Sequence, residues 1–187
     1  MAFKYKIDDQ SEFYFVTFTV VNWIDIFTRD CYRDIFINSV KYSQQNKGLE
    51  VGAWVLMTNH AHLILRAKAP NKLQDIIRDM KSYISRRIRI ELEQSTTESR
   101  KEWMTRMFMK TGLANSNNKD YQFWIRDNHP IKLADSNMLL QRLNYIHNNP
   151  VAAGFVAEPQ HWKYSSTHNY CGGTQGLITL IMLAEIN

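Results

Sequence analysis

Phe13–Asn22 (FYFVTFTVVN) is dense in aromatic and β-branched residues and contains neither Gly nor Pro, which predicts a buried strand. Across Asp30–Gln45 the apolar positions Ile35, Phe36, Val40 and Tyr42 fall near helical spacing, and Asn46-Lys47-Gly48 supplies a stop. Leu49–Met57 reads as a second strand. Thr58-Asn59 reads as a tight turn and His60–Arg66 as its hairpin partner, unless Val51–Arg66 forms one long bent strand. Beyond Ala69-Pro70-Asn71, the residues Leu73, Ile76, Ile77, Met80, Ile84 and Ile88 recur at three- and four-residue steps, the stripe of a long amphipathic helix.

After a polar break at Gln94–Ser99, helix resumes over Arg100–Lys110 on Trp103, Met104, Met107 and Phe108, with Gly112 as its cap. Asn115–Asp120 is expected as a loop and Tyr121–Ile125 as a short strand. Asp135 or Ser136 caps a last helix, which runs through Asn149 and which Pro150 terminates. The order strand–helix–strand–strand–helix–strand is that of an α+β fold, the ferredoxin-like split βαβ with a central antiparallel sheet and helices on one side. We expect a single domain over residues 1–187, with a core of about 13–155 and a C-terminal extension, 156–187.

Chemistry enters at Trp54–Arg66, WVLMTNHAHLILR. On a strand, residues two apart share a face, so His60 and His62 project together from a rigid backbone. Taken alone, the pair fits a hydrogen-bonded structural role as well as half of a metal site. A second polar constellation changes the weighting. In QRLNYIHNNP, Leu139, Leu143 and Ile146 form the core stripe, while Tyr145 and Asn149, four apart, stack on another face behind Gln141. Two imidazoles leave a divalent ion short of ligands. The amide oxygen of Asn149 can add a third, which leaves positions open for a phosphate oxygen. A tyrosine one turn away can then attack the phosphorus as a covalent nucleophile. His147 stands about 200° round the helix from Tyr145 and cannot share its face.

The charge balance agrees. The chain has 187 residues and a net charge of +5, and much of the excess lies between the histidine strand and mid-chain. Arg78, Lys81, Arg86, Arg87 and Arg89 form the basic helix face expected to hold nucleic acid, with a solvated face balanced by Asp75, Asp79, Glu91 and Glu93 as the plainer alternative. There is no apolar run of about 18 residues, so no membrane partner is expected. The N-terminus has no secretory h-region, and two cysteines imply no disulfide framework, which points to the cytoplasm.

NHAHLIL, then YIHNNPVAAGFV, then WKYSSTHNY resemble the IS200-like single-tyrosine HUH transposases, and most of all their REP-associated branch. The resemblance runs from about Phe13 to Tyr170. It implies a histidine pair on a central strand and a helix across the sheet that delivers the tyrosine. It also implies cleavage and rejoining of single-stranded DNA beside hairpins through a 5′-phosphotyrosine, with a divalent ion (Mg²⁺ or Mn²⁺) and no ATP. By position, His60 and His62 match the ligand pair, Tyr145 the nucleophile and Asn149 the helix-borne ligand. Two positions depart from the pattern: Asn149 stands where insertion-sequence members have Gln, and Thr58 where many have Pro. The implied partner is single-stranded or hairpin DNA, with the protein a monomer or homodimer. A relative that holds hairpin DNA without cutting it is the principal alternative. A zinc hydrolase is the lesser one, since no acidic third ligand is evident.

Overall fold

The structure is a computed structural model, and it describes residues 7–114, 120–172 and 176–183. Its centre is a four-stranded antiparallel sheet in the order β2-β3-β1-β4, built from β1 (Tyr14–Thr19), β2 (Leu49–Leu56), β3 (His60–Ala67) and β4 (Ile131–Lys132). That order is the split βαβ arrangement, in which β3 pairs with both β1 and β2. The β2–β3 connection is the tight hairpin at Thr58-Asn59, not a continuous bent strand.

Helices α1 (Asp30–Lys47) and α2 (Leu73–Gln94) lie together on one side of the sheet. Val16, Phe18, Trp54, Leu56, Leu63 and Leu65 from the sheet meet Tyr32, Phe36 and Val40 of α1 and Ile76, Ile77, Met80, Ile84 and Ile88 of α2 in the larger core. The predicted α2 stripe is the buried stripe. Gly48 caps α1 with φ of 67°, a left-handed geometry that glycine adopts without steric cost. Helix α3 (Lys101–Leu113) adds Met104 and Phe108 to the same core.

The opposite sheet face carries a smaller cluster: Phe13, Phe15, Ala53, Val55 and Ile64 against Leu143 and Ile146 of helix α4 (Ser136–Ala152). Because strand side chains alternate, the face that buries Phe15 and Ile64 is also the face of His60 and His62. The split βαβ unit leaves this face open, and α4 crosses it.

Three local expectations differ from the structure. Tyr121–Ile125 contributes only an isolated bridge from Trp124 to Val20, and the fourth strand falls at Ile131–Lys132. Gly112 lies inside α3 instead of capping it; a Cβ there would run into the backbone of Tyr121, so the close approach of that segment explains the glycine. Pro150 does not stop α4, which continues to Ala152. A proline late in a helix forfeits one backbone hydrogen bond, and here its ring is buried. Part of the expected Asn115–Asp120 loop, residues 115–119, lies outside the described residues.

The tail seals the free edge of β2. Leu56 N donates to Tyr164 O (2.9 Å), Ser166 N to Trp54 O (2.9 Å) and Ile181 N to Val51 O (2.9 Å). An edge strand otherwise presents unpaired amides to any passing strand. Trp162 Nε1 donates to Leu56 O at 3.0 Å and the Tyr164 hydroxyl to Asp30 at 2.6 Å, so the WKYSS segment packs against the core. Among the described residues, no helix is long and apolar enough to cross a membrane.

Candidate active site

Antiparallel register sets the floor of the site. Thr19 lies opposite His60, Thr17 opposite His62 and Phe15 opposite Ile64, so two threonines and a phenylalanine stand beside the imidazoles on one face. The imidazole centroids of His60 and His62 are 4.8 Å apart. Helix α4 begins at Asp135, whose carboxylate accepts from Met138 N at 2.8 Å. It seats Leu143 and Ile146 on the sheet, which turns Arg142, Tyr145 and Asn149 along the histidine row. The Tyr145 hydroxyl reaches 3.3 Å from Nε2 of His62. The Asn149 side chain lies beside His60 and opposes the lowering of its pKa. Four residues widely separated in the chain thus converge: His60, His62, Tyr145 and Asn149. His147 points elsewhere, to Ser166 Oγ at 2.9 Å and against Tyr170.

Each imidazole is anchored through Nδ1. For His62 the partner is Thr17 Oγ1 at 2.8 Å; for His60 it is Asn59 Oδ1 at 2.7 Å. The second contact fixes a tautomer. Asn59 Nδ2 donates to the Asp25 carboxylate (2.8 Å) and to the Trp23 carbonyl (3.3 Å), both of which only accept. Asn59 therefore turns its oxygen to His60, which must carry its proton on Nδ1, and the Nε2 lone pair is left over. Thr58 Oγ1 holds the same Asp25 oxygen at 2.6 Å. Nδ1 anchoring leaves Nε2 of His62 facing the Tyr145 hydroxyl, and imidazoles oriented through one nitrogen are what metal ligation requires.

Burial pushes the His60 pKa below its ordinary value, with Asn149 and Asp25 opposing, and pushes His62 down to about 3, with the charge fields of His60 and Arg142 adding. Both rings are thus neutral near pH 7, the form that binds a cation. Among the described residues, no group of three or more His, Cys, Asp or Glu side chains could hold a metal ion.

Thr17, Asn59, Asp25 and Arg142 were not legible as site residues from spacing alone. Thr17 sits in an apolar strand, where only the register with His62 gives it meaning. Asp25 belongs to a loop 34 residues from Asn59. Arg142 is one turn before Tyr145, its guanidinium 4.9 Å from the Phe15 ring that stacks on His62 at 5.3 Å.

The basic residues of α2 lie across the sheet from this site. The Lys81 ammonium is tied to Ile125 O (2.9 Å), Arg126 O (3.4 Å) and Asn128 Oδ1 (2.6 Å), and burial lowers its pKa to about 8. Arg78 pairs with Asp75 and Asp79, and Arg89 with Glu93 and Asp120. Arg86 and Arg87 carry no ion pair among the described residues.

Residues 13–127 match the family described as Transposase IS200 like, a span of more than half the chain that contains both histidines. The chain belongs to the IS200-like transposases. Tyr145 and Asn149 lie beyond the matched residues. The fold is similar to that of a REP-associated tyrosine transposase solved bound to a REP hairpin, at 15% identity and a TM-score of 0.62, covering 100% of this chain and 96% of that one. A second solved structure, a proposed transposase from Deinococcus radiodurans r1, aligns at 18% identity and a TM-score of 0.35, covering 59% of this chain and 94% of that one. Comparison with curated proteins gives no match. As an IS200-like transposase, the protein is an enzyme that acts on DNA.

Proposed function

We propose that this transposase cleaves and rejoins single-stranded DNA beside hairpins through a covalent bond to Tyr145, with a divalent ion, Mg²⁺ or Mn²⁺, held by His60, His62 and Asn149. The observation that carries the reading is the Tyr145 hydroxyl 3.3 Å from Nε2 of His62, on a site whose imidazoles are anchored through Nδ1.

When bound, such an ion supplies Lewis-acid polarisation of the scissile phosphate and neutralises its developing charge. Helix α4 presents the Tyr145 oxygen to the phosphorus, and a rigid helix on a rigid sheet supplies the orientation. The Tyr145 oxygen forms a bond to phosphorus while the bond from phosphorus to the 3′ oxygen breaks. The phenol gives up one proton and the departing 3′ oxygen takes one up. The products are a 5′-phosphotyrosine and a free 3′-hydroxyl, with no water or nucleotide energy consumed. Attack by a 3′-hydroxyl on the phosphotyrosine runs the step backwards and rejoins a strand.

Arg142 is the cation best placed to meet the DNA backbone near Tyr145, since no carboxylate pairs with it among the described residues. Hairpin DNA as the partner is supported by the similarity in fold to a transposase solved with one. The test is incubation of the chain with hairpin DNA carrying single-stranded arms, with and without Mn²⁺. Cleavage that requires the ion supports the reading. Binding without cleavage at any ion concentration supports instead a protein that only holds hairpins.

A further inference from the structure

Trp23 is a large aromatic residue left mostly in solvent, with 59% of its surface exposed, and its ring meets the edge of His60 at a centroid distance of 5.7 Å and an angle of 71°. Its backbone is equally unusual. Asn22 and Trp23 both have left-handed dihedrals, with φ of 56° and 53°. Asparagine tolerates that region; a bulky side chain is an outlier there. The conformation is held from several sides. Trp23 N donates to Val20 O at 3.1 Å, Asn59 Nδ2 donates to Trp23 O at 3.3 Å, and Asn22 Nδ2 donates to Thr111 Oγ1 at 3.0 Å. Scattered exposed apolar residues are ordinary. A strained one, fixed beside a metal-binding histidine by the same asparagine that orients that histidine, is not, and core packing cannot account for a ring that is not in the core.

We infer that Trp23 is a stacking platform for a nucleobase of single-stranded DNA, the one attached to the phosphodiester that the site cuts or to its neighbour. The inference rests on the reading of His60, His62 and Tyr145 given above. A base hangs from its phosphate by one sugar, so a phosphate placed over the imidazoles leaves its base within reach of a ring that touches His60. Every base has a π face, so an indole can take any of them, and stacking demands a single strand, because a paired base has both faces covered by its neighbours. The platform also makes the site selective for unpaired DNA at the point of cleavage while leaving sequence to other contacts.

The test uses the full chain carrying Tyr145→Phe, so that DNA is bound and not cut, in Mn²⁺, with a hairpin whose single-stranded arms carry 2-aminopurine at one position at a time. The wild-type chain maps the cut on the same DNA. One position beside the cut is expected to be quenched. Adding Trp23→Ala should remove that quenching and raise Kd about 5- to 100-fold, whereas Trp23→Phe should keep the quenching and bind within about 3-fold. Mn²⁺ affinity, read by electron paramagnetic resonance, should stay the same in both. Unchanged affinity and unchanged quenching in Trp23→Ala would overturn the platform, and so would equal weakening by Ala and Phe together with lost Mn²⁺ affinity, which marks a prop for His60. A wild-type chain that fails to cut, with Trp23-dependent quenching intact, would instead remove the phosphotyrosine chemistry and leave the platform standing. Failure of every such DNA to bind would overturn both.

Discussion

The hydroxyl of Tyr145 lies 3.3 Å from Nε2 of His62, a contact that spans 83 residues of sequence and joins helix α4 to the sheet. Its consequence is a division of labour that mutation can separate. Tyr145→Phe removes one oxygen and leaves the ring that packs edge-on to Phe15 at 6.0 Å. Covalent adduct and cleavage should both vanish, while Mn²⁺ affinity and hairpin binding stay within a few-fold of wild type. Electrophoresis of labelled DNA under denaturing conditions reads the adduct; residual cleavage by this variant would mean another nucleophile.

The hydrogen-bonded partners of the histidines should matter nearly as much as the histidines. Asn59→Ala cuts the link from Asp25 to Nδ1 of His60, and Thr17→Val removes the partner of His62 Nδ1. Each should weaken Mn²⁺ binding by about 10- to 100-fold. Calorimetric titration of the DNA-free chain measures this. Wild-type affinity in both variants would show that ring orientation does not depend on these contacts.

A contrast between Arg142 and Arg78 tests which face meets DNA. Arg142→Ala should weaken hairpin binding and lower the slope of log affinity against log salt by about one. Arg78, 68% exposed and paired with Asp75 and Asp79 on the far helix layer, should leave both unchanged when replaced by Ala. The reverse pattern would return the DNA to α2.

Acid should loosen the fold through His147. Burial lowers its pKa from 6.5 to about 4. Between those values the unfolded chain binds a proton that the folded chain does not, so stability rises with pH across the window. The contribution is complete above about 6.5 and is lost as pH falls toward 4, up to roughly 3 kcal/mol. The depressed values of His60 and His62 act in the same sense. His147→Gln should therefore flatten the rise of melting temperature between pH 4 and 6.5; a curve parallel to wild type would contradict this.

Much of this arrangement can be read from the sequence, and the physical reason is periodicity. HxH within an apolar strand determines that the two imidazoles share a face, and Leu139, Leu143 and Ile146 determine which side of α4 meets the sheet, hence where Tyr145 points. Short-range patterns fail where long-range contacts decide. Ile131–Lys132 is a strand only because β1 offers it an edge, and Gly112 is a glycine because Tyr121 passes over it. Lys81 reads as one more cation on a basic helix until the segment at 125–128 is seen to wrap its ammonium. Trp23 ends a single 3-10 turn and Asp25 follows it in a stretch too short to show a period, so nothing nearby in sequence announces their approach to His60.

Mass spectrometry of the trapped complex tests the central claim most directly. Wild-type chain is incubated with hairpin DNA and Mn²⁺, digested with protease and nuclease, and searched for a nucleotide-bearing peptide. A 5′-phosphonucleotide on Tyr145, absent when Mn²⁺ is chelated, is the predicted result. A nucleotide on another residue, or cleaved DNA with no protein attached to its 5′ end, would contradict the account.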